Sequence, residues 1–281
     1  MCQFKSGIAI RLNESEVLVK TCPLEDSHTE IRRKLRMRED DGKPGFARYQ
    51  TPVEAIPTKL NFRRLSCWDF IFDDDRPEWW TSGMTRQALV QLVSAAKSDY
   101  EALMKGEKYE GNLFLDDLKT LPNGFNPKVG GQLFLCGLKT LPKGFAPTVE
   151  GDLWLDGLKT LPNGFNLKVG GKLGLRNLKI IPKDFSPTVG GFIYTEHVTT
   201  VSENFTPVLG MGLWLKKIKV LSKGFAPTVE GDLWLDNLRS IPEGFDPKVT
   251  GNLYLSNIAR LPIGFTPKVG GHVFFDGLRM L

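Results

Sequence analysis

The chain has 281 residues, a net charge of +5 and an apolar content of 41%, values that are ordinary for a folded protein of one or two domains. Its apolar runs are too short to span a bilayer and its first residues lack the pattern of a signal peptide, so we expect no membrane association. Neither a CxxC pair nor a histidine at metal spacing accompanies the four cysteines, Cys2, Cys22, Cys67 and Cys136. We therefore expect a reduced cytoplasmic protein with no metal, cofactor or disulfide framework.

The segment 1–110 predicts a small α/β domain. Alternating apolar residues predict strands, the first two as a hairpin, and apolar spacing of three and four residues predicts helices. We expect the last helix to cover the open end of the repeats that follow, because stacked arrays need capped ends. In chain order the predicted elements are strands 4–12 and 16–20, a helix over 29–37, strands 46–56 and 65–72, and a helix over 85–106.

Cys2 supports a catalytic hypothesis. Removal of Met1 would leave a cysteine at the free N-terminus, where a thiol can attack an amide carbonyl while the chain's own amine takes the proton. His28 is an alternative base, and Asp26 lies near it in sequence. N-terminal-nucleophile hydrolases and class II glutamine amidotransferases begin in this way, but the glycine and asparagine context expected around their nucleophile is missing. A purely structural role for Cys2 is the competing interpretation.

The opening MCQFKSGIAIR, the DSH at 26–28 and the RPEWW at 76–80 carry a resemblance to a group of phage and bacterial proteins. Those proteins begin MCKFKSG and then diverge into varied repeat tails. The resemblance extends from Met1 to Trp80 and implies a mobile-element origin, with a common head joined to exchangeable binding arrays. An effector or anti-defence role in the cytoplasm of a bacterial host cell is the expectation that follows from it.

From Gly111 onward the sequence repeats with a period of twenty, with eight complete copies to Gly270 and a ninth that stops at Leu281. Positions 3, 5, 8, 11, 15 and 19 are apolar in nearly every copy, and position 15 is phenylalanine in all eight complete copies. Glycine, aspartate or asparagine at positions 1, 7 and 14 predicts three bends in each copy, because these residue types tolerate a left-handed backbone. The segment 111–281 therefore predicts a three-sided β-solenoid, about 40 Å long if strands stack at roughly 4.8 Å.

The pattern LxLxxLxxLPxxF resembles the short leucine-rich repeats of bacteria and phages, whose copies read LxLxxNxLxxLP. This sequence departs from that pattern because the segment after LxL is shorter by two positions and the inward asparagine is absent. The departure favours a closed triangular solenoid over an open horseshoe. The resemblance implies a protein that binds other proteins.

One face of the solenoid is predicted to carry a row of aromatic side chains. If positions 3 and 5 point inward, then positions 2, 4 and 6 point outward. Position 2 or 6 adds an acidic margin of Asp152, Asp156, Asp232 and Asp236. Position 4 is aromatic in eight of nine copies, which we call the aromatic spine: Phe114, Phe134, Trp154, Tyr194, Trp214, Trp234, Tyr254 and Phe274.

Three interpretations of the aromatic spine compete. The rings can stabilise the solenoid by stacking, the N-terminal domain can cover the first of them, or the row can bind a partner. A partner protein with basic and apolar groups is the leading expectation, since large exposed apolar patches mark interfaces. Extended carbohydrate is the alternative ligand. Nucleic acid is disfavoured on this face, because the acidic margin would repel phosphates.

The fourth copy breaks the spine. Gly174 replaces the aromatic residue, and Lys172 and Arg176 replace acidic neighbours. These three residues predict a notch that accepts an acidic side chain of a partner, with neutral drift of one repeat as the alternative. A separate basic stripe lies at position 9, which is Lys119, Lys139, Lys159, Lys179, Lys219, Arg239 and Arg279. It is expected to be a solvated face, with binding of an acidic partner as the alternative. Finally, the open last coil can pair with a second copy of the chain.

The sequence therefore predicts a protein-recognition module. The two alternatives are carbohydrate binding and an amide-hydrolysing or amide-transferring enzyme that uses Cys2 and whose solenoid selects the substrate.

Overall fold

The structure is a computed structural model that describes residues 5–12, 14–23, 28–34, 50–57, 68–73, 75–258, 261 and 265–275. The first elements form a four-stranded antiparallel sheet in the order β2-β1-β3-β4. The predicted hairpin is present, with Ile8 opposite Lys20. The elements are β1 (Lys5–Arg11), β2 (Val17–Lys20), α1 (His28–Lys34), β3 (Gln50–Pro57), β4 (Trp68–Phe72) and α2 (Ser82–Met104).

Helix α2 begins earlier than its apolar spacing predicts, at Ser82 rather than Thr85, because Thr81 caps it. The Thr81 hydroxyl accepts a hydrogen bond from the Met84 amide, which satisfies one of the amides that a helix start leaves unpaired. Two glutamines of α2 also bind the free edge of β2, Gln87 at Val17 and Gln91 at both Val17 and Val19. Gln91 accepts from the Val19 amide at 2.9 Å and donates to the Val17 carbonyl at 3.0 Å. The helix thereby covers a strand edge that would otherwise be open to pairing.

The repeats form a β-solenoid of about eight turns between residues 108 and 274. Two parallel nine-stranded sheets run along it. The spine sheet is made by positions 3 and 4 of each copy, and its strands are Leu113–Phe114, Leu133–Phe134, Leu153–Trp154, Leu173–Gly174, Ile193–Tyr194, Leu213–Trp214, Leu233–Trp234, Leu253–Tyr254 and Val273–Phe274. The second sheet is made by positions 18 and 19, and its strands are Lys108–Tyr109, Lys128–Val129, Thr148–Val149, Lys168–Val169, Thr188–Val189, Val208–Leu209, Thr228–Val229, Lys248–Val249 and Lys268–Val269.

A third sheet is confined to coils 4, 5 and 6, where its strands are Ile180–Ile181, Thr200–Val201 and Val220–Leu221. Proline at position 12 explains why this sheet does not extend to the other coils, because proline has no amide to donate to the neighbouring coil. Coils 5 and 6 carry serine there, and Ser202 and Ser222 donate to the carbonyls of Ile181 and Val201 at 3.0 and 2.9 Å. Between the proline-containing coils 2 and 3 this side instead leaves a groove of about 630 Å³, lined by residues 140–145 and 160–165.

The core is filled by the leucines and valines of the strands and by the column of phenylalanines at position 15. Consecutive rings from Phe145 to Phe245 stack with centroids 5.5–6.5 Å apart. This confirms the inward column that the repeat predicts, and each stacked pair adds roughly 0.5–1.5 kcal/mol beyond the area it buries.

The three predicted bends have different causes. Position 14 is left-handed in coils 1 to 7, with φ between 57° and 78°, including the non-glycine residues Asp184 and Asn204. Positions 1 and 7 are mostly not left-handed; at most of their glycines the neighbouring coil approaches too closely for a side chain. A Cβ at Gly157, for example, would overlap the carbonyl oxygen of Cys136 in the previous coil. The three predicted bends are therefore present, but only the one at position 14 consistently uses a left-handed backbone.

Helix α2 and the first coil share one apolar core. The Tyr100 ring of α2 stacks on Phe125 of the first coil, with centroids 6.2 Å apart and an angle of 8° between the planes. Leu103 and Tyr109 are buried in the same cluster. At the far end Phe274 is 39% exposed and residues 276–281 lie outside the described residues, so pairing of the last coil with a second chain stays a prediction.

Candidate functional site

The aromatic spine lies on the outer face of the spine sheet. In the first eight strands the position 3 side chain is buried, while the position 4 ring is half-buried in most coils. Most rings are covered on their flat sides by the rings of neighbouring coils. Phe114 stacks on Phe134 at 4.5 Å and 9°, Trp234 on Tyr254 at 5.3 Å and 2°, and Tyr254 on Phe274 at 4.8 Å and 7°. The spine therefore presents ring edges, rather than ring faces, to its surroundings.

The fourth coil does not form an open notch. Gly174 is buried, and a Cβ at this position would overlap Cε3 of Trp154. The Trp154 indole leans over the glycine and fills the space that a side chain would need. Lys172 and Arg176 are exposed on either side, but the expected cavity at Gly174 is not there.

The acidic margin has a structural role that the sequence analysis missed. Asp152 Oδ1 accepts a hydrogen bond from the Lys172 amide at 2.7 Å, and Asp156 Oδ1 accepts from the Arg176 amide at 2.9 Å. Asp232 Oδ1 likewise accepts from Asn252 N at 2.6 Å, whereas Asp236 Oδ1 accepts from the Ser256 hydroxyl at 2.9 Å. Asparagine makes the same contact at position 2 in other coils, as Asn112 does with Gln132 N at 2.8 Å.

These bonds tie neighbouring coils together, in most cases through backbone amides that the short strands leave unpaired. The signal was present in the sequence, since aspartate and asparagine exchange at position 2 while their shared acceptor oxygen is kept. Asp152, Asp232 and Asp236 remain partly exposed, whereas the Asp156 side chain is only 16% exposed and its Oδ2 lies 3.8 Å from Arg176 Nε, so the margin is both a ladder of hydrogen bonds and an acidic surface.

The spine changes direction between coils 5 and 6. Tyr194 has no ring contact with Trp214; the Trp214 ring packs instead on Phe192, with centroids 5.1 Å apart. Room for this shift comes from Gly212, where a Cβ would lie 2.8 Å from Cζ3 of Trp234 and 3.3 Å from Cε1 of Phe192. Thr195 points inward and its hydroxyl donates to the Trp214 carbonyl at 3.2 Å.

The shift opens a cavity of about 290 Å³ in the outer face. Tyr194 and Trp214 line it together with Ile193, Thr195, Glu196, Lys216 and Lys217. Except for the two aromatic residues, none of these was singled out as a binding residue from the sequence. The sequence indicated this region only through the departure of copies 5 and 6 from the repeat consensus. Phe192, Gly212, Lys216 and Lys217 are the departures that lie in this short region.

The catalytic hypothesis rests on residues of which only one is described. His28 opens α1, and its Nδ1 lies 3.1 Å from Asp73 Oδ2, while Nε2 lies 3.4 Å from the Val53 carbonyl. Cys2 and Asp26 lie outside the described residues, so their proposed chemistry stays a prediction.

Cys136, at position 6 of the second coil, is a different case. Burial, reinforced by the neighbouring carboxylate of Asp116, raises the pKa of its thiol to about 12. The thiol is therefore protonated at neutral pH and is a poor nucleophile.

Within the described residues, no group of three or more His, Cys, Asp and Glu side chains is arranged to hold a metal ion. Over the same residues, no helix has the length and apolar character needed to cross a membrane. Comparison of the chain with protein-family models, with curated proteins and with solved structures found no significant match.

Proposed function

We propose that the protein is a recognition module that binds another protein along the aromatic spine. The observation that carries the proposal is the spine itself: large rings, mostly half-buried, run along one flat parallel sheet from the first coil to the last. Apolar rows of this length are uncommon on monomers unless a partner covers them. Tryptophan and tyrosine are also the residues that most often anchor protein interfaces.

The orientation of the rings favours protein over carbohydrate. A sugar packs its apolar face against the flat side of an aromatic ring, and a nucleic-acid base stacks in the same way. Here the flat sides are largely occupied by neighbouring rings, as in the Trp234–Tyr254 and Tyr254–Phe274 pairs. Ring edges and the grooves between them suit the side chains of a protein surface.

The charge on the margin sets the partner's chemistry beside coils 3 and 7 of the spine. Asp152 and Asp156 flank Trp154, and Asp232 and Asp236 flank Trp234. A partner with basic side chains around an apolar strip complements these coils, and the same carboxylates act against phosphate backbones.

Two resemblances support the proposal. We infer that the coils are a shortened variant of the bacterial leucine-rich repeat, a class that commonly binds proteins. The likeness of the N-terminal segment to phage and bacterial proteins favours a bacterial cytoplasm as the location and a host protein as the target.

The proposal is tested by affinity capture from bacterial lysate. The Trp154→Ala/Trp234→Ala variant should retain less than about one tenth of the captured partner, because buried aromatic anchors contribute roughly 2 kcal/mol or more each. The matched control is Ile180→Ala/Val220→Ala, which removes two exposed apolar side chains, each 53% exposed, from the third sheet. Circular dichroism must show both variants folded. Equal capture by the spine variant and the wild type would contradict the proposal.

A further inference from the structure

We propose that the cavity between coils 5 and 6 is an anchor pocket for a carboxylate side chain on an acidic segment of the partner. The cavity is bounded by Tyr194, Trp214, Lys216 and Lys217. This inference rests on the proposed function, and it assigns the central part of the spine a partner chemistry opposite to that beside coils 3 and 7.

The first support is the interruption of the spine. Trp214 packs on Phe192, which is at position 2 of the fifth coil, and the cavity lies toward position 6 of the same two coils. The other described steps between adjacent spine rings, apart from those at Gly174, bring the centroids within 4.5–6.4 Å of each other. At those steps the two rings fill the space between the coils. At the step from Tyr194 to Trp214 the corresponding space is open.

The size of the cavity suits a single side chain. Its volume of about 290 Å³ falls just below the range of roughly 300–1,000 Å³ that is typical of sites for whole small molecules. Its walls combine the apolar surfaces of Ile193, Tyr194 and Trp214 with charged groups on one side. Such a pocket would hold the methylene groups of a glutamate against the rings and its carboxylate toward the lysines.

The charges around the cavity leave a positive excess. Arg176 Nε lies 3.3 Å from Glu196 Oε1, so the one carboxylate that lines the cavity is already paired. Lys216 Nζ lies over the Trp214 ring, 5.8 Å from its centroid. Lys216 and Lys217 are both exposed, and neither forms an ion pair with any residue that the structure describes. The residue at position 6 of the next coil, Asp236, accepts a hydrogen bond from the Ser256 hydroxyl.

The probe for the test is a fluorescently labelled, end-capped peptide, Gly-Glu-Phe-Glu-Gly, and its binding to the full chain is measured by fluorescence anisotropy. The isosteric neutral peptide, Gly-Gln-Phe-Gln-Gly, should bind roughly tenfold more weakly, because two exposed ion pairs are lost. Added salt should weaken binding of the acidic peptide and leave the neutral one nearly unchanged.

The decisive variant is Lys216→Glu/Lys217→Glu, which should weaken binding of the acidic peptide by roughly tenfold or more. The matched control is Lys139→Glu/Lys159→Glu in the basic stripe, which changes the net charge equally at exposed positions. It should change binding less than twofold. Equal effects of the two variants would show that binding depends only on net charge and would overturn the inference. Equal binding of the two peptides, or no binding of either, would overturn it as well.

The two experiments distinguish failure of the pocket assignment from failure of the proposed function. If the lysine variant binds the peptide normally while the Trp154→Ala/Trp234→Ala variant still loses the captured partner, the pocket assignment alone is wrong. If the peptide depends on Lys216 and Lys217 but capture is unaffected by the tryptophan pair, the spine as a whole is not the binding face.

Discussion

At the scale of single residues, the margin of the spine shows how one side chain serves both the fold and the surface. The Asp152 carboxylate accepts the Lys172 amide through one oxygen and keeps its charge half-exposed. Asparagine can replace the acceptor but not the charge, and the repeat uses both residue types at this position. The two contributions can therefore be separated by substitution.

Asp152→Asn should leave the free energy of unfolding nearly unchanged, because the amide oxygen can still accept from Lys172, as Asn112 does from Gln132 in the first coil. Asp152→Ala should lower it by about 1 kcal/mol, since the Lys172 amide loses its acceptor. Urea denaturation of the three proteins measures the difference. An equal loss in both variants would show that the charge, and not the hydrogen bond, stabilises the coil.

The same scale shows why some residue roles could not be read from the sequence. Glycine at positions 1, 7 and 14 looks like one signal, yet only Gly124 and its counterparts at position 14 consistently need a left-handed backbone. Gly157 is required because the Cys136 carbonyl of the previous coil lies where a Cβ would be. That contact joins residues in two different coils, so the conformational preferences of the residues around Gly157 in sequence do not predict it.

At the scale of elements, the third sheet follows from a single substitution in the repeat. Serine at positions 202 and 222 supplies the amide that proline cannot, and β-branched residues begin its strands at Ile180, Thr200 and Val220. The sheet ends beside Pro182 and Pro242, which have no amide to extend the pairing on either side. The departures of copies 5 and 6 from the repeat consensus therefore change the local structure.

Ser202→Pro would restore the commoner residue of the repeat and should nevertheless destabilise the protein by roughly 1–3 kcal/mol, because an unmet buried hydrogen bond costs about that much. The substitution removes the bond from the Ser202 amide to the Ile181 carbonyl, 3.0 Å long, and leaves that carbonyl without its donor. Ser202→Ala keeps the amide and should cost much less. Thermal unfolding followed by circular dichroism compares the two, and a Ser202→Pro melting temperature equal to that of the wild type would refute the role given to this amide.

The spine itself was predictable as a row, but its geometry was not. Alternation along GxLxL gives the outward direction of Trp154 and its counterparts, and the structure bears that out. The cavity lies at Tyr194 and Trp214, whereas the sequence pointed to Gly174. The reason is that ring packing depends on pairs in neighbouring coils: Trp154 fills the space over Gly174, while Phe192 draws Trp214 away from Tyr194.

At the scale of the whole molecule, the 20-residue period was sufficient to predict a stacked array, because each coil repeats the same inward residues. The described part of the solenoid has a covered start and an apolar end. Helix α2 closes the first coil through Tyr100 and Phe125, whereas at the last coil Phe274 lacks the cover that a further coil would give.

The resulting surface has one long apolar row with a mixed charge pattern. Acidic residues flank it in coils 3 and 7, and basic residues flank it in coils 4 and 6. A partner matched to this pattern would place basic groups at both ends of its contact and an acidic group near the middle. Such a pattern fixes the register of a long interface, because a shift along the row brings like charges together.

Hydroxyl-radical footprinting of the complex with the captured partner tests the central claim most directly. The oxidation of Trp154, Trp214 and Trp234 is measured by mass spectrometry in the free and bound protein, with Ile180 and Val220 as references on the third sheet. Binding along the spine predicts at least twofold protection of the three tryptophans and unchanged oxidation of the two references. Protection of Ile180 and Val220, with the tryptophans as reactive as in the free protein, would contradict it.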